Sequence, residues 1–292
     1  MNNVCIVACY GRPEILYYTL RHLDKTKEDI IYLFSVDYGY DVGILPFINE
    51  FLKTHDGLIV KRNKTDYRIG KQSYNVLTAY SEACFISGDE GLVFLVEDDV
   101  FVHHDFFNWN KLIHAKEKNI FCSINSENNR IHDTTNKVNS YYYGRDNDYQ
   151  SIGVCFKSET YRKLIYPHQK IAYYSNPQNY CMINFPNSSI GGDFVEQDGL
   201  IRRVKEQHPE FKIVFPHIPR CYHAGMWGYN RLSGKKLSGT ISEKITKLEK
   251  ILIDIELYKE YCVYFDDSKP IDLTQNYDYK EVNYLQSKYI GT

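Results

Sequence analysis

Residues Leu92–Phe107 read LVFLVEDDVFVHHDFF. Five apolar residues, Leu92, Val93, Phe94, Leu95 and Val96, run straight into three consecutive acids, Glu97, Asp98 and Asp99. An unbroken apolar run of this length reads as a strand buried on both faces, the kind found at the centre of a parallel sheet. Three carboxylates at its end repel one another in a half-buried site. A cation among them removes the conflict, and for hard oxygen donors that cation is Mg²⁺ or Mn²⁺. The feature calls for an α/β fold with a metal-competent acidic strand end on its rim.

The preceding sequence agrees. VCIVACY (Val4–Tyr10) reads as a first strand, broken by Gly11, Arg12 and Pro13, with Pro13 suited to the first turn of a helix running to about Leu23. IIYLFSVD (Ile30–Asp37) is a second strand, followed by a helix over roughly 42–54. LIVKRN (Leu58–Asn63) is a third, Lys71–Ser87 a helix, and Leu92–Val96 the fourth strand. Strands alternating with helices predict a mostly parallel central sheet flanked by helices. Ligands then bind at the carboxyl ends of the strands, where Arg12, Asp37 and Glu97–Asp99 all fall. Arg68 and Lys71 bracket Gly70 before a helix, a placement suited to an anion or to a solvated loop.

The second half is less regular. A strand running into a polar loop is expected over 121–129, strands over 149–156 and 212–216, a short helix at 158–165, and loop from 167 to 189. GGDFVEQDGLIRRVKEQ (Gly191–Gln207) opens with glycines and is expected to continue as a helix, with Asp193 as its cap. A glycine-rich, basic and aromatic loop spans 224–239, and an amphipathic helix is expected from Thr240 to about Tyr261. The expected division is a catalytic domain over 1–238 and a C-terminal helix and tail over 239–292.

Composition narrows the class. With 292 residues and a net charge of −2, the chain suits one large α/β domain and not a general nucleic-acid coat. Residues 201–250 nevertheless hold eleven Lys and Arg against four Glu, which points to an anionic partner or a solvated face. The eight cysteines form no CxxC pair, so no zinc site is expected and buried free thiols are. No apolar run reaches membrane-spanning length and Met1–Tyr10 is strand-like, so a cytoplasmic protein is expected, with no membrane partner.

Four pieces, in order, resemble one family. VACYGRPEILYYTLRHL, SVDYGYD, VEDDVFVHHDFF and SIGVCFKSETYRKL are similar to the first strand and helix, the second-strand acid, the metal motif and a later strand and helix of GT-A (Rossmann-like) glycosyltransferases of the N-acetylglucosaminyltransferase I type. The resemblance covers roughly residues 3–230. It implies a nucleotide-sugar donor, a UDP-sugar first, bound by the 1–100 half, and an acceptor bound by the 101–238 half. It implies Asp99 as metal ligand, Asp98 facing the ribose or metal-bound water, Glu97 near the sugar, and Asp37 receiving the base. A carboxylate base is implied on the later helix, with Asp198 first and Glu196 second. The aromatic residues that flank that acid in the family are absent here. Arg12 is then placed to meet the diphosphate, or to form a surface salt bridge.

The wider fold adds His223 as a metal ligand, with Trp227 and Tyr229 over the sugar and Arg231, Lys235 and Lys236 near phosphate. The acceptor is a glycan or protein hydroxyl, or a hydroxymethylated pyrimidine in DNA as in phage-type base modification. Two other classes compete: a nucleotidyltransferase, which usually has a glycine- and lysine-rich loop after its first strand where this chain has Gly11-Arg12-Pro13, and a non-catalytic sugar-nucleotide or glycan-binding module.

Overall fold

A computed structural model describes residues 2–39, 43–126, 141–145, 147–216 and 220–223. The order is β1 (Val4–Cys9), α1 (Pro13–Asp24), β2 (Ile31–Val36), α2 (Leu45–Phe51), β3 (Gly57–Lys61), α3 (Lys71–Ser87), β4 (Leu92–Glu97), β5 (Val100–Val102), α4 (Phe106–Lys116), β6 (Ile120–Ile124), β7 (Tyr141–Tyr143) and β8 (Val154–Lys157). Then come α5 (Ser158–Thr160), prolonged by a π-turn over Tyr161–Ile165, α6 (Ile171–Ser175), α7 (Pro177–Asn184), α8 (Gln197–Gln207), β9 (Lys212–Pro216) and β10 (Cys221–His223).

Eight strands form one sheet in the order β3-β2-β1-β4-β8-β6-β9-β7. The β3-β2-β1-β4 block is parallel throughout, as is β6 with β9. β8 and β7 run against their neighbours. The α/β architecture expected from the alternating pattern is therefore present, with an antiparallel strand inserted beside β4.

Alternation along β1 divides the core. Val4, Ile6 and Ala8 pack with α3, the π-turn and α8 on one face. Cys5, Val7 and Cys9 pack with α1, α2 and α4 on the other. All six residues of β4 are buried, as a strand covered on both faces requires. The seven described cysteines are buried and free. No helix among the described residues is long and apolar enough to cross a membrane.

Three expectations are corrected. The stretch 167–189 is not a loop: it holds α6 and α7, the latter started by Asn176, whose side chain accepts from Asn179 N at 3.2 Å, with Pro177 in the first turn. The helix expected after Asp193 begins only at Gln197, so Asp193 is no cap of it. The strand expected from Tyr149 begins at Val154. The short strands β5, β7 and β10 were not foreseen. The proposed C-terminal unit, 239–292, lies outside the described residues.

Candidate active site

β1, β2 and β4 end on one rim of the sheet, which gathers Arg12, Asp37 and the acids Glu97, Asp98 and Asp99 there. β4 continues into the acids because Asp98 N–H donates to Ala8 O at 2.9 Å. Gly11, at φ +79°, turns the chain out of β1 in a conformation that L side chains rarely adopt. α1 starts after it and is fastened to the acidic turn, since Thr19 Oγ1 donates to Asp98 O at 2.8 Å. Arg12 precedes α1 and is folded back over the acids. Its Nη1 donates to Asp99 Oδ2 at 2.7 Å and its Nη2 to Asp98 Oδ1.

Each acid has a different environment. Asp98 is fully buried and also accepts from Tyr10 N–H at 2.8 Å. Burial pushes its pKa up to about 6, although the guanidinium pulls the other way. Burial opposes ionisation of Asp99 too, yet His223 and Arg12 outweigh it and hold Asp99 down at about 2. His223 Nε2 lies 3.3 Å from Asp99 Oδ2. It arrives there because β10 pairs antiparallel with β5 and sets His223 opposite Val100, next to Asp99. The other oxygen of Asp99, Oδ1, is buried without a hydrogen-bond partner. Among the described residues, no group of three or more His, Cys, Asp or Glu side chains is arranged to hold a metal ion.

Glu97 points towards the other side. Burial, then the charges of Asp99, Asp198 and Asp98, drive its pKa well above the usual carboxylate range. Its oxygens accept from Gln72 Nε2 at 3.2 and 3.4 Å. Asp198, in the first turn of α8, is near enough to act on Glu97 and accepts from Ser151 Oγ. Burial raises the Asp198 pKa, against the pull of Ser151 and Arg202. α3 and α8 meet here end to end: Gly70 N–H donates to Glu196 Oε2 at 3.2 Å, and Gln197 N–H to Ser73 Oγ at 3.2 Å. Glu196 thus ties two helix starts together, while Asp198 faces Glu97.

Asp37 ends β2, buried, with its Oδ1 accepting from Tyr38 N–H at 2.8 Å. Burial raises its pKa, and the Tyr38 amide, Lys71 and Arg62 oppose the rise. Lys71, the first residue of α3, also lies 5.7 Å from the Tyr38 ring centre. Arg68 is exposed, two residues before the Gly70 cap.

The structure therefore brings together Arg12, Glu97, Asp98, Asp99, Asp198 and His223, with Asp37 and Lys71 beside them. Trp227 and Arg231 lie outside the described residues. Sequence reading missed Tyr10, Gln72 and Ser151. The Tyr10 hydroxyl is buried with no hydrogen-bond partner and is pushed up first by burial, then by Glu97, Asp98 and Asp37. Its position directly after β1 was a usable signal; those of Gln72 and Ser151 were not.

The basic excess of 201–250 has a different use where it is described. Arg203 donates to the carbonyls of Phe194, Gly199, Ile190 and Gly191. Lys205 is buried with Nζ 3.4 Å from His208 O, and Arg220 is buried beside Asp105. Arg202 stacks on Phe194 and Lys212 on Tyr143. These five cations serve the interior and its edges and do not form one solvated face.

No protein-family model matches the chain, and no curated protein matches it. Solved structures are similar to it. Mouse xyloside xylosyltransferase 1 matches with a TM-score of 0.46 at 9% identity, over 73% of this chain and 83% of that one. The mannosyltransferase PcManGT from Pyrobaculum calidifontis, solved with GDP-Man and Mn²⁺, matches at 0.39 and 11% identity, over 62% of this chain and 52% of that one. The 4-diphosphocytidyl-2C-methyl-D-erythritol synthase from Anaerococcus prevotii matches at 0.40 and 12%, over 85% and 99%. All three lie below a TM-score of 0.5, and the chemistry is read from this chain's own residues.

Proposed function

We propose that this chain is a GT-A glycosyltransferase that moves a sugar from a nucleotide-sugar, a UDP-sugar first, to an acceptor hydroxyl with the help of Mn²⁺ or Mg²⁺. One observation carries the reading. A charge-paired carboxylate couple, Asp98 and Asp99, adjoins a second couple, Glu97 and Asp198, whose pKa values are raised. Carboxyl groups pushed apart in this way divide the work of binding charge and moving protons.

The donor set fits a hard divalent ion. Asp99 Oδ1 is buried and unpartnered, and His223 stands beside the same carboxylate. Two protein ligands suffice for Mg²⁺ or Mn²⁺ when phosphate oxygens and water complete the shell. Asp99 and His223 would hold the ion, with Asp98 behind them, and its chemistry there would be to neutralise charge growing on the departing diphosphate.

The chain's own groups supply the rest. Asp37, with Lys71 and Tyr38, receives the base end of the donor. Glu97, whose burial favours the neutral form, is placed to meet a sugar oxygen. Asp198 takes the proton of the acceptor hydroxyl; its raised pKa makes it a stronger base than a solvated carboxylate, and attack from the face opposite the diphosphate inverts the anomeric centre. Ser151 aims its carboxylate. Glu196 serves the helix junction and not the proton transfer. The half over 1–100 binds the donor and the half over 101–238 the acceptor. The acceptor is a glycan or protein hydroxyl, or a hydroxymethylated pyrimidine in DNA; of the described cations of 201–250, Arg203, Lys205 and Arg220 are buried.

The test is a thermal-shift series with UDP-, GDP- and CDP-sugars, each with and without Mn²⁺. Stabilisation by one nucleotide class that requires the metal is expected, growing as RT ln(1 + [L]/Kd). No stabilisation by any of them overturns the reading.

A further inference from the structure

The cation that sits on the acid couple belongs to the chain itself. Arg12 spans Asp98 and Asp99 with two separate nitrogens, its side chain only 12% exposed. This fork uses one oxygen of each carboxylate and leaves Asp99 Oδ1 buried and unpartnered. Arg12 Nε is likewise buried without a partner. An arginine at home in a permanent ion pair normally satisfies its donors and those of its partners. Here both members keep an unused polar atom, which suits an arrangement that changes when a ligand arrives.

We propose that Arg12 stands in for the divalent cation at the Asp98–Asp99 couple, that a metal ion held by Asp99 and His223 must displace it from Asp99, and that the displaced guanidinium then binds the diphosphate of the donor. The inference rests on the glycosyltransferase reading for its second half only. A divalent ion on Asp99 and a guanidinium on the same carboxylate repel strongly at a buried site. Metal alone therefore enters at a cost. A diphosphate changes the balance, because its oxygens accept both the ion and the released guanidinium. Little else has to move. The α1 backbone stays pinned through Thr19 to Asp98 O, and Arg12 O remains the acceptor for Leu16 N at 2.9 Å. The swing is thus confined to one side chain at the start of α1, on the rim where phosphates of a strand-end ligand lie. Binding of metal and donor becomes cooperative through this exchange.

The experiment is a Mn²⁺ titration followed by the paramagnetic resonance signal of the free ion, on the full chain and on Arg12→Gln, with and without UDP. Without UDP, Arg12→Gln is expected to bind Mn²⁺ about tenfold tighter or more, because no resident charge has to leave. UDP is expected to tighten Mn²⁺ binding by the natural chain far more than by the variant. Equal or weaker Mn²⁺ binding by Arg12→Gln overturns the proposal, and so does failure of both proteins to bind Mn²⁺. If Arg12→Gln does not fold, Arg12→Lys serves. Its single ammonium cannot span both acids, so tighter Mn²⁺ binding supports the exchange and unchanged binding refutes it. The arm with metal alone contains no nucleotide, so its outcome is separate from whether any nucleotide-sugar binds.

Discussion

Replacing Asp105 with Asn should loosen the strand pair that delivers His223, and its size can be worked out. Asp105 is 7% exposed and faces Arg220, which is 1% exposed and lies over the Trp109 ring at 5.4 Å. Arg220 Nε is 3.4 Å from Asp105 Oδ2, and His103 Nδ1 is 2.5 Å from Asp105 Oδ1. The backbone of Arg220 joins the end of β6 to β5: its N–H donates to Asn125 O at 2.9 Å and its O accepts from His103 N at 2.8 Å. Burial works against the Asp105 charge, yet Arg220 and His103 outweigh it and hold the pKa at about 2 against a usual 3.8. At about 1.4 kcal/mol per pKa unit, the ionised carboxylate contributes about 2 kcal/mol to folding at neutral pH. Asparagine removes this and takes the Asp105 charge away from buried Arg220, which takes the loss to about 2–4 kcal/mol. For a domain of this size that is a fall in Tm of roughly 5–15 °C.

The pH dependence has a fixed sign. A depressed carboxylate pKa stabilises above the unfolded value and loses its effect as pH falls through the folded value. The gap between the natural chain and Asp105→Asn should be full above about pH 4 and close towards pH 2. Urea denaturation at stepped pH measures it. A gap below about 1 kcal/mol at pH 7, or one that does not narrow on acidification, refutes the reasoning. The double variant Asp105→Leu/Arg220→Met should regain much of the loss, since a well-packed apolar pair replaces a buried ion pair at little cost.

Other outcomes follow from the same geometry. Asp99→Asn should abolish Mn²⁺-dependent stabilisation by nucleotide, and His223→Ala should weaken Mn²⁺ binding about tenfold or more by calorimetry. Asp198→Asn should lower kcat by about 10²–10⁴-fold while donor binding persists, as loss of a general base requires. Ser151→Ala removes a hydrogen bond that lowers the Asp198 pKa, so the acid limb of the kcat–pH profile should move to higher pH. Glu196→Gln should cost about 1–2 kcal/mol in urea unfolding with turnover retained, because its carboxylate holds the Gly70 amide and touches no reacting atom. Binding to duplex DNA in a filter assay separates the two acceptor classes: a steep salt slope favours a DNA acceptor and a flat one a glycan or protein acceptor.

Much of the acidic rim was legible because its signals are local. An apolar run ending in acids names a buried strand and a cation-seeking site without reference to any partner. The helix read at Lys71–Ser87, directly after Gly70, is α3 as observed. α7 was open to the same reading, since Asn176-Pro177 is a helix start, but the polar, tyrosine-rich surroundings obscured it. β5 and β10 were out of reach. Each has three residues and exists only through pairing with the other, so no period within either could reveal it.

Local sequence thus determined the architecture, the acidic rim and the candidate acids, because hydrophobic period and residue chemistry act over a few positions. Tertiary structure decided how burial and neighbouring charges shift each of those acids. Arg12 reaches Asp98 and Asp99 across eighty-six and eighty-seven positions, Gln72 and Asp198 reach Glu97 from two other elements, and Glu196 turns away to Gly70. Burial and neighbouring charge set a carboxylate's behaviour, and both depend on which distant segments are folded against it.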